Sequence, residues 1–161
     1  MNDRVDSATF NALYSRHAAD IFRFALYLCG DRDDAEDITS ETFVRVWTSS
    51  TPLRGESVKA YLLTIARNLY LHGRRREKRR ATLSDEITDP RTMADAGLDQ
   101  RDQLAAVLAE LSRLGEVDRS ALLMHAAQGV TYQQIADALG ISLASVKIRI
   151  HRARLALAHI G

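Results

Sequence analysis

The stretch TYQQIADALGISLASVKIRIHRARLAL, Thr131 to Leu157, decides the fold. Thr131 and Ser142 each precede a run with apolar residues at helical spacing, and their hydroxyl groups can cap those helices. Gly140 lies between the two runs and can adopt the left-handed turn conformation, and Ile141 can fill the corner behind it. A turn this short holds two helices at a steep angle, so the stretch predicts a helix-turn-helix.

The second helix of this pair has one apolar face and one basic face. At about 100° per residue, its inward side collects Val146, Ile150, Ala153 and Leu157. The opposite arc contains Ala144, Ser145, Lys147, Ile148, His151 and Arg152, with Arg149 and Arg154 on its flanks. Lysine and arginine can bond guanine edges, and an isoleucine can contact a thymine methyl group. The pattern therefore predicts a helix that enters the DNA major groove, while the alternative is a capped helical hairpin with a solvated basic face.

The small net charge of +1 conceals a strong alternation along the chain. Residues 42–80 contain 10 basic and 2 acidic residues, and residues 119–161 contain 5 and 1. Residues 1–41 contain 4 basic and 9 acidic residues, and residues 81–118 contain 3 and 9. Two basic blocks separated by acidic ones predict two surfaces that bind a polyanion. For the run HGRRREKRR alone, a solvated helix face is an equally good explanation.

The first half of the chain predicts a small helical bundle over residues 7–80. A helix with apolar residues from Phe10 to Leu28 ends near Gly30, and a second begins in DRDDAED. The loop TSSTPLRGES follows, and Ser57 can cap a third helix that runs into the arginine cluster. Tyr61 and Tyr70 are expected to pack inside this bundle.

The second half predicts an acidic linker over residues 81–97 and a further helical domain over residues 98–161. Leu104, Val107, Leu108, Leu111 and Leu114 form one stripe of that domain. Asp118 is predicted to cap the next helix, DRSALLMHAAQG, which ends at Gly129. With no convincing strand signal, the fold class is all-α, with two small helical domains joined by a flexible linker and the helix-turn-helix in the second.

Composition and motifs argue against several functional classes. Cys29 is the single cysteine, so no internal disulfide is possible, and a reducing compartment is expected. The opening residues are polar, and no apolar run is long enough to span a bilayer, so we expect a cytoplasmic protein without membrane insertion. There is no glycine-rich phosphate loop after a strand and no zinc-binding pair of histidines on a helix. We therefore predict no enzymatic activity, no catalytic residues, no metal and no cofactor.

Three segments, in order, resemble bacterial sigma factors, especially the small extracytoplasmic-function (ECF) group. DAEDITSETFVRVW resembles the polymerase-binding helix of region 2, and AYLLTIARNLYLHGRRR resembles the next helix, which handles the minus-ten promoter element. YQQIADALGISLASVKIRIHRARLAL resembles region 4, which reads the minus-thirty-five element. The resemblance covers nearly the whole chain and implies a factor that binds core RNA polymerase, recognises and melts promoter DNA, and directs transcription initiation.

The resemblance also implies partners and sites. Core polymerase is expected to bind through its β′ clamp helices and β flap, and an anti-sigma factor is expected to control the protein, which would be a monomer when free of partners. Polymerase binding would involve Asp34, Asp37, Glu41, Thr42, Phe43 and Val46. Minus-ten DNA binding would involve Arg54, Arg67, Asn68, His72, Arg74, Arg75 and Arg76, with a flipped base held in the loop Thr51 to Ser57. Minus-thirty-five DNA binding would involve Ser145, Lys147, Ile148, Arg149, His151 and Arg152.

The sequence departs from the family pattern at a few positions. His72 stands where the family often has Asp, and Ala144-Ser145 stands where Gly-Thr is common.

Two other functions compete with that of a sigma factor. A one-component regulator would use only the helix-turn-helix and would usually dimerise on a palindrome. A sigma mimic that titrates an inhibitor would not need the basic DNA faces that this chain retains.

Overall fold

The computed structural model describes residues 6–49, 58–83 and 98–158. Its helices are α1 (Ser7–Cys29), α2 (Arg32–Thr48), α3 (Val58–Leu83), α4 (Leu98–Arg113), α5 (Glu116–Leu122), α6 (Tyr132–Leu139) and α7 (Leu143–Leu157). A π-helical turn, Leu123–Ala127, continues α5. The described residues contain no strand, which confirms the predicted all-α class. None of their helices is both long and apolar enough to cross a membrane.

The first three helices form the predicted bundle. Asp6 caps α1 by accepting a hydrogen bond from the Thr9 amide, and α1 ends at Gly30, which has a left-handed φ of +75°. The predicted end of the first helix is thus confirmed. Asp31 then caps α2. The α1–α2 hairpin and α3 share a core of Ile21, Phe24, Leu28, Phe43, Val46, Leu62, Leu63 and Ala66. Ser57 and the loop Thr51 to Ser57 lie outside the described residues, as does most of the predicted linker, residues 84–97.

The helix-turn-helix follows its predicted local rules. Thr131 accepts a hydrogen bond from the Gln134 amide, and the Gln134 side chain accepts one from the Thr131 amide, which completes a capping box. Gly140 ends α6 with a φ of +67°, and Ser142 caps α7. The inward positions Ile135, Ala136, Val146, Ile150 and Ala153 are buried. Both predicted caps and the predicted inner face of α7 are therefore confirmed, with Leu157 partly buried against the core.

The two halves of the chain pack directly against each other. Helix α1 contacts α4 and the π-helical turn, and α3 contacts α6. The buried residues form one continuous cluster that includes Leu111 and Met124 beside Ile21 and Phe24. The predicted arrangement, two domains joined by a flexible linker, did not include this interface. The two helical units are thus packed together in this form of the molecule.

The predicted cap at Asp118 is wrong. Helix α5 begins at Glu116 after Gly115, and no side chain caps it. Asp118 lies inside the first turn, and only 7% of it is exposed. Its carboxylate accepts hydrogen bonds from Arg149 and Arg152 of α7 instead of from backbone amides. Two guanidinium donors are stronger partners for a buried carboxylate than the amides of its own helix turn.

Candidate nucleic-acid interface

The outer face of α7 carries three side chains aimed at solvent. Lys147 and His151 are exposed one turn apart, and Ile148 between them is 63% exposed. Their direction follows from the burial of Val146 and Ile150, because neighbouring positions on a helix must then face outward. The Ser142 cap fixes where the helix begins. This cationic face with one apolar side chain has the composition that a DNA major groove accepts.

Arg149 and Arg152 of the same helix surround the Asp118 carboxylate. Arg152 donates from Nε to Oδ2 at 2.9 Å and from Nη2 to Oδ1 at 3.0 Å. Arg149 donates from Nη1 to Oδ1 at 2.8 Å and from Nε to the Ser145 hydroxyl at 3.2 Å. The Arg152 side chain is nevertheless 61% exposed, compared with 33% for Arg149. Arg152 is therefore accessible to DNA, while Arg149 is mostly occupied within the protein.

The basic end of α3 forms the second cationic surface. Arg74, Arg75 and Arg76 are exposed there, and so are Asn68 and His72. The Arg74 guanidinium lies 5.7 Å from the centre of the Tyr70 ring, which orients it along the helix. Arg54, also predicted for minus-ten binding, lies outside the described residues. Five of the seven predicted minus-ten residues therefore share one exposed stretch of α3.

Arg67 differs from the other predicted minus-ten residues. Its side chain is only 13% exposed and forms an ion pair with Glu116 of α5, with Nη2 at 3.0 Å from Oε2. Burial opposes ionisation of Glu116, but hydrogen bonds from Arg67 and Ser120 outweigh it and lower the Glu116 pKa below its ordinary value. In this form of the molecule, Arg67 joins the two halves and is not available to phosphate.

Two further polar contacts cross between the halves. Arg119 is buried and donates from Nη2 to the Tyr70 hydroxyl at 2.8 Å and from Nη1 to the Leu114 carbonyl at 3.0 Å. Gln128, also buried, donates to the Asp20 carbonyl at 3.3 Å. Sequence reasoning missed this interface. Its contacts join residues 49 and 108 positions apart in the sequence, so no local pattern reveals it.

The predicted polymerase-binding residues of α2 divide into a surface set and a buried set. Asp37 and Glu41 are exposed and Asp34 is partly exposed. Thr42, Phe43 and Val46 are at most 2% exposed, so their side chains cannot contact a partner while the bundle is intact. The predicted direct contact of these three residues with polymerase therefore has to be corrected. They instead pack beneath the surface formed by Asp37 and Glu41 and support it. The helix repeat places them against α1 and α3, where the core requires apolar volume.

An exposed apolar patch lies beside this surface and was missed by the sequence reasoning. Tyr14, Val44 and Trp47 are 47%, 51% and 42% exposed. Phe10 packs edge-on against Trp47 with ring centres 5.0 Å apart. The signal was present as aromatic residues four apart on α1 and apolar residues three apart on α2. A helical wheel alone could not distinguish these exposed positions from the buried core positions.

A groove between α2 and α3 brings two of the predicted sites together. Asp34, Asp37 and Glu41 line one wall, and His72, Arg74, Arg76 and Glu77 line the other. Acidic and basic walls thus face each other across one opening. The same groove includes Cys29, whose thiol donates to the Asp31 carbonyl at 3.2 Å. Burial raises the Cys29 pKa to about 11, which keeps the group a neutral thiol and a poor nucleophile.

The described residues contain no group of three or more acidic, histidine or cysteine side chains that could hold a metal ion. What they do contain is a helix-turn-helix with an exposed cationic helix and a second helical unit with a basic end. These features define a class of all-α DNA-binding protein built from two helical units.

Comparisons with known proteins identify the family. Residues 13–80 match Sigma-70 region 2, and residues 104–157 match Sigma-70, region 4. The ECF RNA polymerase sigma factor SigL of Mycobacterium tuberculosis is 30% identical over 164 residues, which cover 97% of this chain and 93% of SigL. SigE of Mycolicibacterium smegmatis is 33% identical over 157 residues, which cover 94% of this chain but only 61% of SigE.

Solved structures support the same assignment. The sigma factor RpoE from Bartonella quintana, in complex with the anti-sigma factor NepR, matches with a TM-score of 0.77 and 26% identity, covering 94% of this chain and 95% of RpoE. CnrH in complex with the cytosolic domain of CnrY matches with a TM-score of 0.73 and 24% identity, covering 96% and 88% of the two chains, and shows the shared fold. The chain belongs to the ECF sigma factors of RNA polymerase. It is thus a transcription initiation factor and not an enzyme, and it binds core polymerase and directs it to promoters.

Proposed function

We propose that this sigma factor divides its work among three surfaces in two domains. Residues 7–80 form the domain for core polymerase and the minus-ten element, residues 81–97 form the acidic linker, and residues 98–161 form the domain for the minus-thirty-five element. The observation that carries this proposal is that one chain exposes two cationic surfaces, on α3 and on α7, beside an acidic surface on α2.

The α7 face reads the minus-thirty-five element. Lys147, Ile148 and His151 are exposed on the side of the helix away from its core, and Arg152 is exposed at their edge. A good bidentate contact discriminates between bases by about 1–3 kcal/mol. Loss of one such side chain therefore changes promoter choice. Ser145 and Arg149, which bond each other, support this face from its flank.

The exposed end of α3 holds the minus-ten region as the duplex opens. Unpairing costs a few kcal/mol for each exposed base, so a protein that keeps the strand open must bind it. Arg74, Arg75 and Arg76 supply charge for phosphates, and Asn68 supplies both donors and acceptors for a base edge. His72 replaces the common acidic group with a ring that can donate and accept. Arg54 and a base pocket in the loop Thr51 to Ser57 remain predictions for residues that the structure does not describe.

The acidic surface of α2 docks on the β′ clamp helices. Asp37 and Glu41 lie one turn apart and are exposed, as a surface that meets basic partner residues requires. The neighbouring patch of Val44 and Trp47 adds apolar area that can be buried on binding. The β flap is proposed to bind the second domain.

The two domains have to separate before both elements of a promoter are bound. The elements lie about 25 base pairs apart, which is roughly 85 Å of duplex at ~3.4 Å per base pair. In the closed form, as we call the structure with its two halves packed together, Arg67 of the first domain hydrogen-bonds Glu116 of the second. That contact also makes Arg67, a predicted minus-ten residue, unavailable to DNA. Promoter binding therefore requires the Arg67–Glu116 interface to open.

An anti-sigma factor is proposed to control this step, because the matched RpoE structure is a complex with such a factor. The site of action is the cytoplasm, where polymerase and promoters are found, and the factor is a monomer when it has no partner. The acidic linker is proposed to lie in a basic nucleic-acid channel of the polymerase, although a solvated spacer is an equally good account of its composition.

The test is reconstituted run-off transcription. Core polymerase with the full chain is expected to produce a promoter-dependent transcript that core polymerase alone does not produce. Binding to polymerase without transcription would identify a sigma mimic, and DNA binding without polymerase binding would identify a one-component regulator. Either result would reject the proposed function.

A further inference from the structure

We infer that Asp118 is a positioning residue for promoter readout: its buried carboxylate fixes Arg152 so that one chosen edge of the guanidinium meets the DNA. This inference rests on the proposed function of α7. Asp118 belongs to α5, which lies outside the helix-turn-helix, and its link to α7 spans 34 positions in the chain. Nothing in the local sequence of α7 reveals it.

The burial of Asp118 makes it a fixed point. Only 10% of its side chain is exposed, and both of its oxygens accept hydrogen bonds from α7. A buried carboxylate must be paired, and here two guanidinium groups pair with it. The arginines bring two positive charges to one negative charge, so a positive charge remains at the surface of α7. Asp118 thus holds the arginines in place without cancelling their attraction for DNA.

The geometry restricts Arg152 to one of its two recognition edges. A guanidinium can offer a side edge, formed by Nε and one Nη, or an end edge, formed by both Nη atoms. Nε and Nη2 of Arg152 face Asp118, at 2.9 Å from Oδ2 and 3.0 Å from Oδ1. Nη2 carries a second N–H that points away from Asp118, and together with Nη1, which donates to no residue that the structure describes, it leaves the end edge available on a side chain that is 61% exposed. That end edge can bond O6 and N7 of one guanine.

Arg149 has the complementary role. It donates to Asp118 from Nη1 and to Ser145 from Nε, and it is only 33% exposed. Its Nε and Nη1 are thus occupied inside the domain. Arg149 fixes the Asp118 carboxylate from the other side, so Arg152 reads the base and Arg149 supports it. Such preorganisation raises affinity for the matching base because the side chain is already ordered before DNA binds.

The substitution Asp118→Asn tests this role with little change in shape. The amide keeps one acceptor but turns an NH2 group toward the guanidinium groups, which breaks the fork. Asp137→Asn is the matched control, because it removes the same charge from α6, where the exposed Asp137 accepts from Gln133. The assay uses holoenzyme made from core polymerase and the full chain. A promoter duplex library randomised across the minus-thirty-five positions is sequenced before and after binding.

The expected result is a loss of preference at one base position. A bidentate contact supplies roughly 5- to 150-fold discrimination, and D118N should reduce it about fivefold or more at that position. Affinity for scrambled elements should stay within about twofold, and D137N should leave every preference unchanged. In the R152A background, D118N should have no further effect on preference, because Asp118 acts through Arg152.

Other outcomes overturn the inference. If D118N strengthens binding to matched and scrambled elements alike, Asp118 only competes with DNA for the arginines. If it weakens both alike, or leaves all preferences intact, Asp118 is a structural residue only. Should D118N fail to fold, Arg152→Lys replaces it, since lysine keeps the charge but loses the planar fork. An unchanged preference in R152K also refutes the role.

The same library separates this inference from the proposed function. If R152A and Lys147→Ala leave every preference unchanged, α7 does not read the promoter and both proposals fail. If those variants lose preference while D118N does not, only the role of Asp118 fails.

Discussion

Arg67 and Glu116 lie 49 positions apart in the sequence and form a partly buried ion pair between the two domains. Their side chains are 13% and 12% exposed, so removal of one partner leaves the other poorly hydrated. The pair occupies the point where a residue predicted to bind DNA meets an acidic residue of the other domain. It therefore connects the stability of the closed form to the availability of a DNA-binding group.

Glu116→Gln should destabilise the closed form. Loss of charged hydrogen bonds to Arg67 should lower the free energy of unfolding by about 1–3 kcal/mol, measured by urea denaturation. Glu36→Gln is the control, because Glu36 forms an exposed pair with Arg32 at 3.6 Å on one helix. That variant should change stability by less than about 0.5 kcal/mol. Equal effects of the two variants would contradict a special role for the domain interface.

The Glu116 contribution should depend on pH. The folded-state pKa of Glu116 is lowered from 4.5, so its stabilising effect is complete above that value and disappears as pH falls through the lowered pKa. The stability difference between wild type and E116Q should therefore be constant near neutral pH and shrink in acid. Urea midpoints measured from about pH 7 to about pH 3 test this. A difference that grows in acid would give the opposite sign for the pKa shift.

Charge reversal on α2 should abolish polymerase binding without unfolding the bundle. Asp37→Lys combined with Glu41→Lys changes two exposed side chains, so the melting temperature should move little. Pull-down of core polymerase should be lost because basic partner residues would then face positive charge. Glu36→Lys on the same helix is the control. Retained binding in the double variant would remove the acidic surface from the docking site.

Phe43→Ala should act on stability and not selectively on docking. Phe43 is 2% exposed and lies 4.9 Å from the Tyr14 ring, measured between ring centres. Its truncation should lower the free energy of unfolding by about 3–5 kcal/mol. Trp47→Ala, at a 42% exposed position, should cost less stability and reduce polymerase binding more. Denaturation and pull-down on both variants measure the two effects, and the reverse order would contradict the burial assignment.

Replacement of Arg74, Arg75 and Arg76 by alanine should block promoter opening. The three side chains are exposed, so the fold should be retained. Each phosphate contact that is lost should reduce the slope of log affinity against log salt by about 0.7–0.9. Permanganate reactivity of the melted thymines measures opening directly. Normal reactivity together with an unchanged salt slope would show that these arginines do not hold the strand.

Much of the fold could be predicted from local sequence rules for helix caps and turns. Thr131, Gly140 and Ser142 act within a few residues of their own positions, so the caps and the turn could be predicted. Asp118 could not, because a capping residue and a long-range ion-pair partner have the same sequence signature until the partner is known. Its partners lie 31 and 34 positions away.

The candidate sites were predictable in composition but not in exposure. On α2, Phe43 and Val44 are adjacent apolar residues, yet one is buried and the other is 51% exposed. Adjacent helix positions point about 100° apart, so the two differ in direction, but which of them faces the core depends on where α1 and α3 pack. The sequence likewise places Arg67 with the other arginines of α3, because its partner Glu116 belongs to the other domain.

The Arg67 guanidinium binds Glu116 in the closed molecule and a phosphate in the proposed complex, and it cannot bind both at once. Any polyanion that captures Arg67 must therefore shift the population toward separated domains. By thermodynamic reciprocity, separation must raise the affinity for that polyanion by the same factor. The ion pair thus makes the conformational equilibrium of the free chain a direct reporter of nucleic-acid binding.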